Sequence, residues 1–458
     1  MASLLDSLNI GGSSLATQQL GLQVTGHNIS NAATAGYHRQ SVLFESLGGT
    51  GSGVRASGIR RSEDRFLLQQ LGAQAGNYGM ASARADTLNR LEDEVGGLDD
   101  LGLSSHMDRF YSGWRELAAA PHDTFQRTEA LSQTEELVGA INRMASQFQA
   151  TQEEADREVV RGVAEANAMI EEVAALNQEI TENEAYGGDA NSLRDRRDML
   201  VEQLGELIGA TSFVNDKGHS VVTLSGGIAV VTGVEAQLLD VEMDAETGFH
   251  DVVLQNTANM TVNGNMAGGR VKGFLEVRDT EVAGLKADLD AFAADFATAV
   301  NEVHRANFNL EGNDGINLIV PPTETEGAAA NLAVNEEIVT NIDLLATSST
   351  ADGVPGNGIG SQMMSDLEFE QVAGGGERTL SESVNSILGD LGRAVRDAAH
   401  SEERNGMRFA QLTTLRQSNS GVSIEEEMIQ LARFQRSFQA ASRIVATVDE
   451  MLQTVLAL

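Results

Sequence analysis

Apolar side chains recur at helical spacing at both ends of this chain, and a helix with one apolar stripe has to bury it against something. Leu8, Leu15, Leu22 and Ile29 recur every seven residues, the spacing that keeps one line of side chains facing a partner helix. Their flanks are small or polar: Gly11, Gly12, Ser14, Gln18, Gln19 and Gly26. A glycine weakens a helix by about 1 kcal/mol relative to alanine, so this helix needs partners to stay folded. At the other end Ile424, Met428, Leu431, Phe438, Ala441, Val445, Val448, Leu452 and Val455 alternate three- and four-residue steps, with Gln435 as the one interruption. Ser423 and Glu426 have capping-box spacing, and Glu425 to Glu427 suit the positive end of a helix. Packing within the monomer and packing between subunits both satisfy these stripes. Periodicity does not choose.

Between the ends the same step size continues. From about Gln126 to Asn183, Val138, Ile141, Ala145, Phe148, Ala155, Val159, Ala166, Ile170, Val173 and Ile180 hold helical spacing without a proline. A continuous helix there spans roughly 85 Å at about 1.5 Å per residue. Val282, Leu285, Leu289, Phe292, Phe296, Val300 and Val303 form a matching stripe. The two segments are expected to pack antiparallel in a rod-like bundle. A further helix is expected from about Leu88 to Leu117, carrying the single Trp114.

The pattern changes between about Thr211 and Arg270. Val221 to Leu224, Ile228 to Val231, Leu238 to Met243, Val252 to Leu254 and Met260 to Val262 are short β-branched runs separated by Gly, Asn and Asp. They read as a small antiparallel β insertion. A Gly-rich link at Gly48 to Gly58 is expected to separate the first helix from the body, and Asn309 to Gly360 is irregular, with Pro321, Pro322 and Pro355. The expected fold is therefore mainly α with a β insertion (α+β). Residues 1–50 and 420–458 form a terminal coiled-coil domain, 51–210 and 271–419 a helical-bundle body, and 211–270 a small antiparallel β domain.

Composition narrows the function. Thirty-one basic against sixty-seven acidic side chains leave a net charge of −36, and Lys217, Lys272 and Lys286 are the only lysines. Such a surface repels nucleic-acid backbones and anionic lipid, so neither nucleic acid nor a membrane is expected as a partner. With no cysteine, disulfides, thiolate metal sites and thiol catalysis are excluded. No stretch reaches the ~18 apolar residues of a membrane span. The first cationic side chain is Arg39, so a signal peptide's charged start is missing. The chain is expected to stay in the cytosol or to leave by a route that cleaves nothing.

The sequence offers no constellation for catalysis. The eight histidines (27, 38, 106, 122, 219, 250, 304 and 400) form no HExxH or HxH pair. Gly48 to Gly53 and Gly374 to Gly376 lack the strand-then-helix setting of a phosphate loop and read as linkers. Asp99-Asp100 lacks EF-hand spacing. The run Leu193 to Leu200, LRDRRDML, reads as intrahelical and interhelical ion pairs in preference to an anion site. No nucleophile has a base beside it. No catalytic residue, metal site or cofactor is expected.

The most specific local feature is Gly26 to Tyr37, GHNISNAATAGY. Asn28, Ser30 and Asn31 can hydrogen-bond nearby backbone, and Gly36 can supply a positive φ. Taken alone, this is a well-made helix stop. Extended to Gln40, however, the segment resembles the signature of the flagellar rod, hook and hook-associated axial proteins: an Asn-rich turn followed by Gly and an aromatic residue. Phe434 to Leu458, FQRSFQAASRIVATVDEMLQTVLAL, resembles the matching C-terminal helix. Tyr37 to Gln40, Gly53 to Leu71, Leu193 to Gly209 and Gly268 to Asp279 are most similar to the hook-associated members. Hook and distal-rod proteins usually carry Phe after that glycine and lack the long helical insert. Ala35 departs from the family's common proline, which would loosen the turn.

The resemblance implies a structural subunit at the junction of hook and filament, exported through the flagellar type III apparatus and placed outside the cell. The implied partners are copies of itself, the hook protein, the second junction protein on the filament side, and a chaperone that binds the C-terminal helix before export. The two stripes would pack into a tubular core, with Asn28, Asn31, Gly36 and Tyr37 as the signature turn. Hook or distal rod is the competing axial reading. A secreted enzyme or adhesin would need a polar constellation that the sequence lacks.

Overall fold

A computed structural model describes residues 2–46, 53–96, 102–255, 257 and 260–456. Helix α1 (Ala2–Ser30) runs into a turn and then a hairpin of β1 (Gln40–Ser46) and β2 (Val54–Arg61). Helices α2 (Arg65–Gly96), α3 (Leu103–Ala119), α4 (Thr124–Ala185) and α5 (Asn191–Ile208) follow. Six short strands come next: β3 (Thr211–Val214), β4 (Ser220–Thr223), β5 (Ala229–Thr232), β6 (Glu235–Ala236), β7 (Leu239–Met243) and β8 (His250–Leu254). The chain then returns through α6 (Arg270–Glu276), α7 (Val282–Arg305), α8 (Glu336–Thr340), α9 (Ile359–Asp366), α10 (Leu380–Ser420) and α11 (Ile424–Leu456).

Helix α4 is the spine, continuous over 62 residues and so about 93 Å long. Asp123 caps it by accepting the Phe125 N–H at 2.9 Å, the usual Asp role at a helix start. Its first half enters a core with α3, α7 and the segment around 318–398, in which Phe110, Trp114, Phe292 and Phe296 are all but fully buried. Phe110 meets Phe296 edge-on at 5.5 Å, an arrangement aromatic quadrupoles favour. Its second half, Ala155 to Leu176, packs on α5, α6 and the β insertion. Helix α7 is antiparallel to α4, as the spacing predicts: Lys286 near its start donates to Gln149, and Arg127 near the start of α4 reaches the 342–347 segment beyond its end.

Several sequence expectations need correction. The helix expected over Leu88 to Leu117 is two helices: α2 ends at Gly96, and α3 starts after Gly102. Glycines at both positions weaken a continuous helix. The β insertion is antiparallel as expected and divides into two sheets, β3-β4-β5-β6 and β7-β8. Met260 to Val262 adds no strand to them, only a bridge between Thr261 and Val253. The link expected at Gly48 to Gly58 is strand from Val54 onward, paired with β1 from Ser46↔Val54 to Gln40↔Arg61. Its earlier part, and Asp99-Asp100, lie outside the described residues. Gly374 to Gly376 form a tight turn at positive φ, closed by the Ala373↔Arg378 bridge and held where the Gly374 N–H donates to Asp295 at 2.8 Å. The Ser423 capping box is half-made: Ser423 accepts the Glu426 N–H at 3.4 Å, but the Glu426 carboxylate turns to Arg39. The reciprocal box is at Thr379 and Glu382, at the start of α10.

Helices α1 and α11 pair antiparallel. Gly11 lies against Val445, Gly21 against Phe434 and Asn28 against Glu427, in steady register along the pair. A Cβ on Gly21 would sit 2.7 Å from the Phe434 ring, and one on Gly11 2.6 Å from Val445 Cγ2. At those two positions, glycine is what lets the helices touch. The partner that the weak first helix needs is therefore present within the chain.

Candidate assembly site

Asn28 sits where α1 ends, and it is 1% exposed. Its amide donates to the Gln40 carbonyl at 2.8 Å and to Glu427 Oε2 at 2.9 Å. Its oxygen accepts the Gln40 N–H at 3.0 Å and the Tyr37 hydroxyl at 2.7 Å. A carboxamide has two donors and an acceptor with two lone pairs, so Asn28 is saturated. Since the Tyr37 proton is given to Asn28, His27 Nδ1, 3.0 Å away, donates to the Tyr37 oxygen. Burial first, then the nearby Asp195 and Glu427 carboxylates, raise the Tyr37 pKa above that of a free phenol. It stays a donor.

One residue on, the backbone turns into the body. His38 donates from Nδ1 to Asp195 Oδ1 at 2.8 Å, and Arg61 at the end of β2 reaches the same oxygen at 2.9 Å. Arg61 also binds Asp198 at 2.7 Å and Glu63. Burial opposes the Arg61 charge, but Asp198, Glu63 and Asp195 together outweigh it and raise its pKa above the usual guanidinium value. Arg39 points the other way, with Nε 2.7 Å from Glu427 Oε1 and its backbone N–H on the Ser420 carbonyl at 2.8 Å. The turn thus fastens α1 to α11 on one side and to α5 on the other.

The run LRDRRDML makes interelement pairs, as its alternation suggests. Arg194 meets Glu184, Arg196 meets Glu172 at 2.5 Å, and Arg197 reaches the Asn177 carboxamide at 3.1 Å. Asp195 and Asp198 face the hairpin.

Of the predicted turn residues, Asn28 and Tyr37 are at the centre of this network. Asn31 caps locally, donating to the His27 carbonyl at 2.9 Å, and Gly36 adopts φ 75°. On α1, Leu8, Leu15, Leu22 and Ile29 are half-buried, while the fully buried residues include Gly11, Thr17, Gly21, Val24 and Thr25. On α11, Ala441 and Val448 are buried, and Leu431, Phe438, Val445 and Leu452 half-buried. Ile424, Met428 and Val455 stay 53%, 52% and 45% exposed. No sequence pattern links His38, Arg61, Asp195 and Glu427 to the turn: Asp195 lies in the polar alternation of LRDRRDML, and Glu427 in the acidic run Glu425 to Glu427. Among the described residues no group of three or more metal-ligating side chains is present, and no helix is long and apolar enough to cross a membrane.

Residues 416–458 match the family model described as flagellar basal body rod FlgEFG protein C-terminal, which marks the class as the axial proteins of the bacterial flagellum. Residues 88–319, just over half of the chain, match the model described as flagellar hook-associated protein FlgK helical domain. The chain belongs to the flagellar hook-associated protein FlgK family. It is 24% identical to flagellar hook-associated protein 1 of Bacillus subtilis, over all of this chain and 98% of that one. It is 23% identical to flagellar hook-associated protein 1 of Escherichia coli, over the whole of both. The solved flagellar hook junction protein FlgK from Burkholderia pseudomallei superposes with a TM-score of 0.68 at 15% identity, covering 78% of this chain and all of that one. That likeness is one of fold.

Proposed function

We propose that this chain is a structural subunit that joins hook to filament, and that it assembles through its terminal helices into a tubular core. The observation that carries the reading is the apolar surface left on a pair that is already packed and fastened. Leu5 and Ile10 on α1 are 52% and 38% exposed, and Ile444 and Met451 on α11 are 54% and 51%. With Ile424, Met428 and Val455 they are large apolar side chains that one copy leaves exposed, and apolar exposure of this kind marks protein interfaces where it is contiguous. The assembly residues of this proposal are Leu8, Leu15, Leu22 and Ile29 with the α11 stripe from Ile424 to Val455, closed by the turn at Asn28, Asn31, Gly36 and Tyr37.

The proposal extends to partners and place. Copies of the chain, the hook protein and the second junction protein would meet the terminal pair, and an export chaperone would hold α11 beforehand. Work outside the cell follows, reached through the flagellar export apparatus; with no cysteine, no disulfide hinders threading of an unfolded chain. The role is mechanical, without catalysis or cofactor. In domain terms, 1–50 and 420–458 form the core, 51–210 and 271–419 the body, and 211–270 the β domain. Membership in the hook-associated family favours this reading over hook or distal rod. The test replaces Leu431 and Phe438 with Asp. Incorporation at the hook tip should be lost while the body, from α2 to α10, stays folded; global unfolding would place α11 in the monomer core instead.

A further inference from the structure

We propose that Glu427 is the residue that sets the register of the α1–α11 pair. The apolar stripe leaves the register nearly open. A seven-residue slide of α11 puts Phe438 in the place of Val445, or Val448 in the place of Ala441, apolar on apolar each time. The glycine notches discriminate weakly. After such a slide Gly11 faces Phe438 or Leu452, and in one direction Gly21 meets the smaller Ala441.

The polar end does discriminate. Glu427 is 2% exposed, whereas Glu425, Glu426, Asp449 and Glu450 on the same helix are exposed. Its two oxygens divide between the Asn28 amide at 2.9 Å and Arg39 Nε at 2.7 Å. A slide toward Phe434 would leave the buried Asn28 amide proton without an acceptor, and a slide toward Ser420 would replace the carboxylate by a shorter, neutral hydroxyl; in both, Arg39 loses its Glu427 partner. Unmade buried hydrogen bonds penalise such states heavily. Single buried polar groups are known to fix register between helices in this way. Glu427 is thus a positioning residue for the pair within one copy, and its test is separate from whether copies assemble.

The chain has no cysteine, so Gln19→Cys with Arg436→Cys, both at exposed positions, gives a clean spin-label pair in the full-length protein. The parent should show one narrow distance. Glu427→Leu, which keeps the helix but removes the acceptor, should add a second population shifted along the pair by about 10 Å, seven residues at ~1.5 Å each. That population should rise several-fold over the parent. Glu427→Gln, which keeps one acceptor oxygen for the Asn28 amide, should hold the shifted population below that of Glu427→Leu, which a loss of bulk packing would not do. A single parental distance in Glu427→Leu, or two distances in the parent, overturns the proposal. If Glu427→Leu loses pairing altogether, Glu427→Met retains the side chain's length without an oxygen acceptor and is read for the same two outcomes.

Discussion

Asp195 on α5 accepts His38 Nδ1 at 2.8 Å and, on the same oxygen, Arg61 at 2.9 Å. One carboxylate therefore holds both ends of the segment that leaves α1 and enters the body. The terminal pair is not hung on a loose linker: its turn and its hairpin are both anchored to α5.

Removing that carboxylate should loosen the turn alone. Asp195→Asn removes the charge that His38 and Arg61 share, while Arg61 keeps Asp198 and Glu63; losing hydrogen bonds to a charged group costs up to about 3 kcal/mol. Amide exchange over 36–46 should accelerate about a hundredfold, while α4 exchanges as before. Equal acceleration in both would mean that Asp195 supports the whole fold.

The helix seam makes a paired prediction. Gly21→Val drives a side chain into the Phe434 ring and should weaken the α1–α11 pair by about 1–3 kcal/mol. Gly12→Ala, where nothing lies within 4 Å, should stabilise α1 by roughly 1 kcal/mol. Exchange protection across α1 checks both, with opposite signs expected.

His304 gives the body an acid limit. It is fully buried, accepts the Ala346 N–H at Nε2 (2.9 Å) and donates from Nδ1 to the Ile316 carbonyl at 2.5 Å. Burial, with Arg127 nearby, pushes its pKa down to about 4 from the usual 6.5. Between these values the unfolded chain takes up a proton that the folded chain refuses. Stability therefore falls as the pH drops from about 6.5 to 4, by roughly 3 kcal/mol, and the loss is complete below that. Denaturant midpoints across this range should show the slope, and His304→Gln should flatten it.

Arg127 holds a loop by backbone contacts. It is 0% exposed and donates to the carbonyls of Pro121 and Leu345 at 2.8 and 2.9 Å and to Thr347 Oγ1 at 2.9 Å. Arg127→Met fills similar space but strands those acceptors, at about 1–3 kcal/mol for each one left unmade. A drop in the unfolding midpoint without a change in helix content is the expected result.

The elements that bury by period were legible in the sequence. Helix α4 showed itself through unbroken three- and four-residue steps, and both terminal stripes through their heptads. The β insertion was marked by Val-rich runs between Gly and Asn. What stayed hidden was held by contacts between distant residues. Asn28 and Glu427 are 399 positions apart and His38 and Asp195 157, and no local pattern links such pairs. Glu427 looked like one of three acids at a helix start, yet it alone turns inward. Gly11 and Gly21 counted as weaknesses of an isolated helix, because their use, close approach to Val445 and Phe434, exists only once α11 is in place. The break between α2 and α3 was obscured because apolar residues on both sides, Leu88 and Leu103, hold helical spacing.

Joining hook to filament is the role proposed for this chain. Its most direct test is electron microscopy of cells from which the protein has been deleted. Intact hooks without filaments, restored by the parent chain but not by the variant with Asp at Leu431 and Phe438, is the predicted result. Missing hooks, or filaments that still form on hooks lacking the protein, would contradict it.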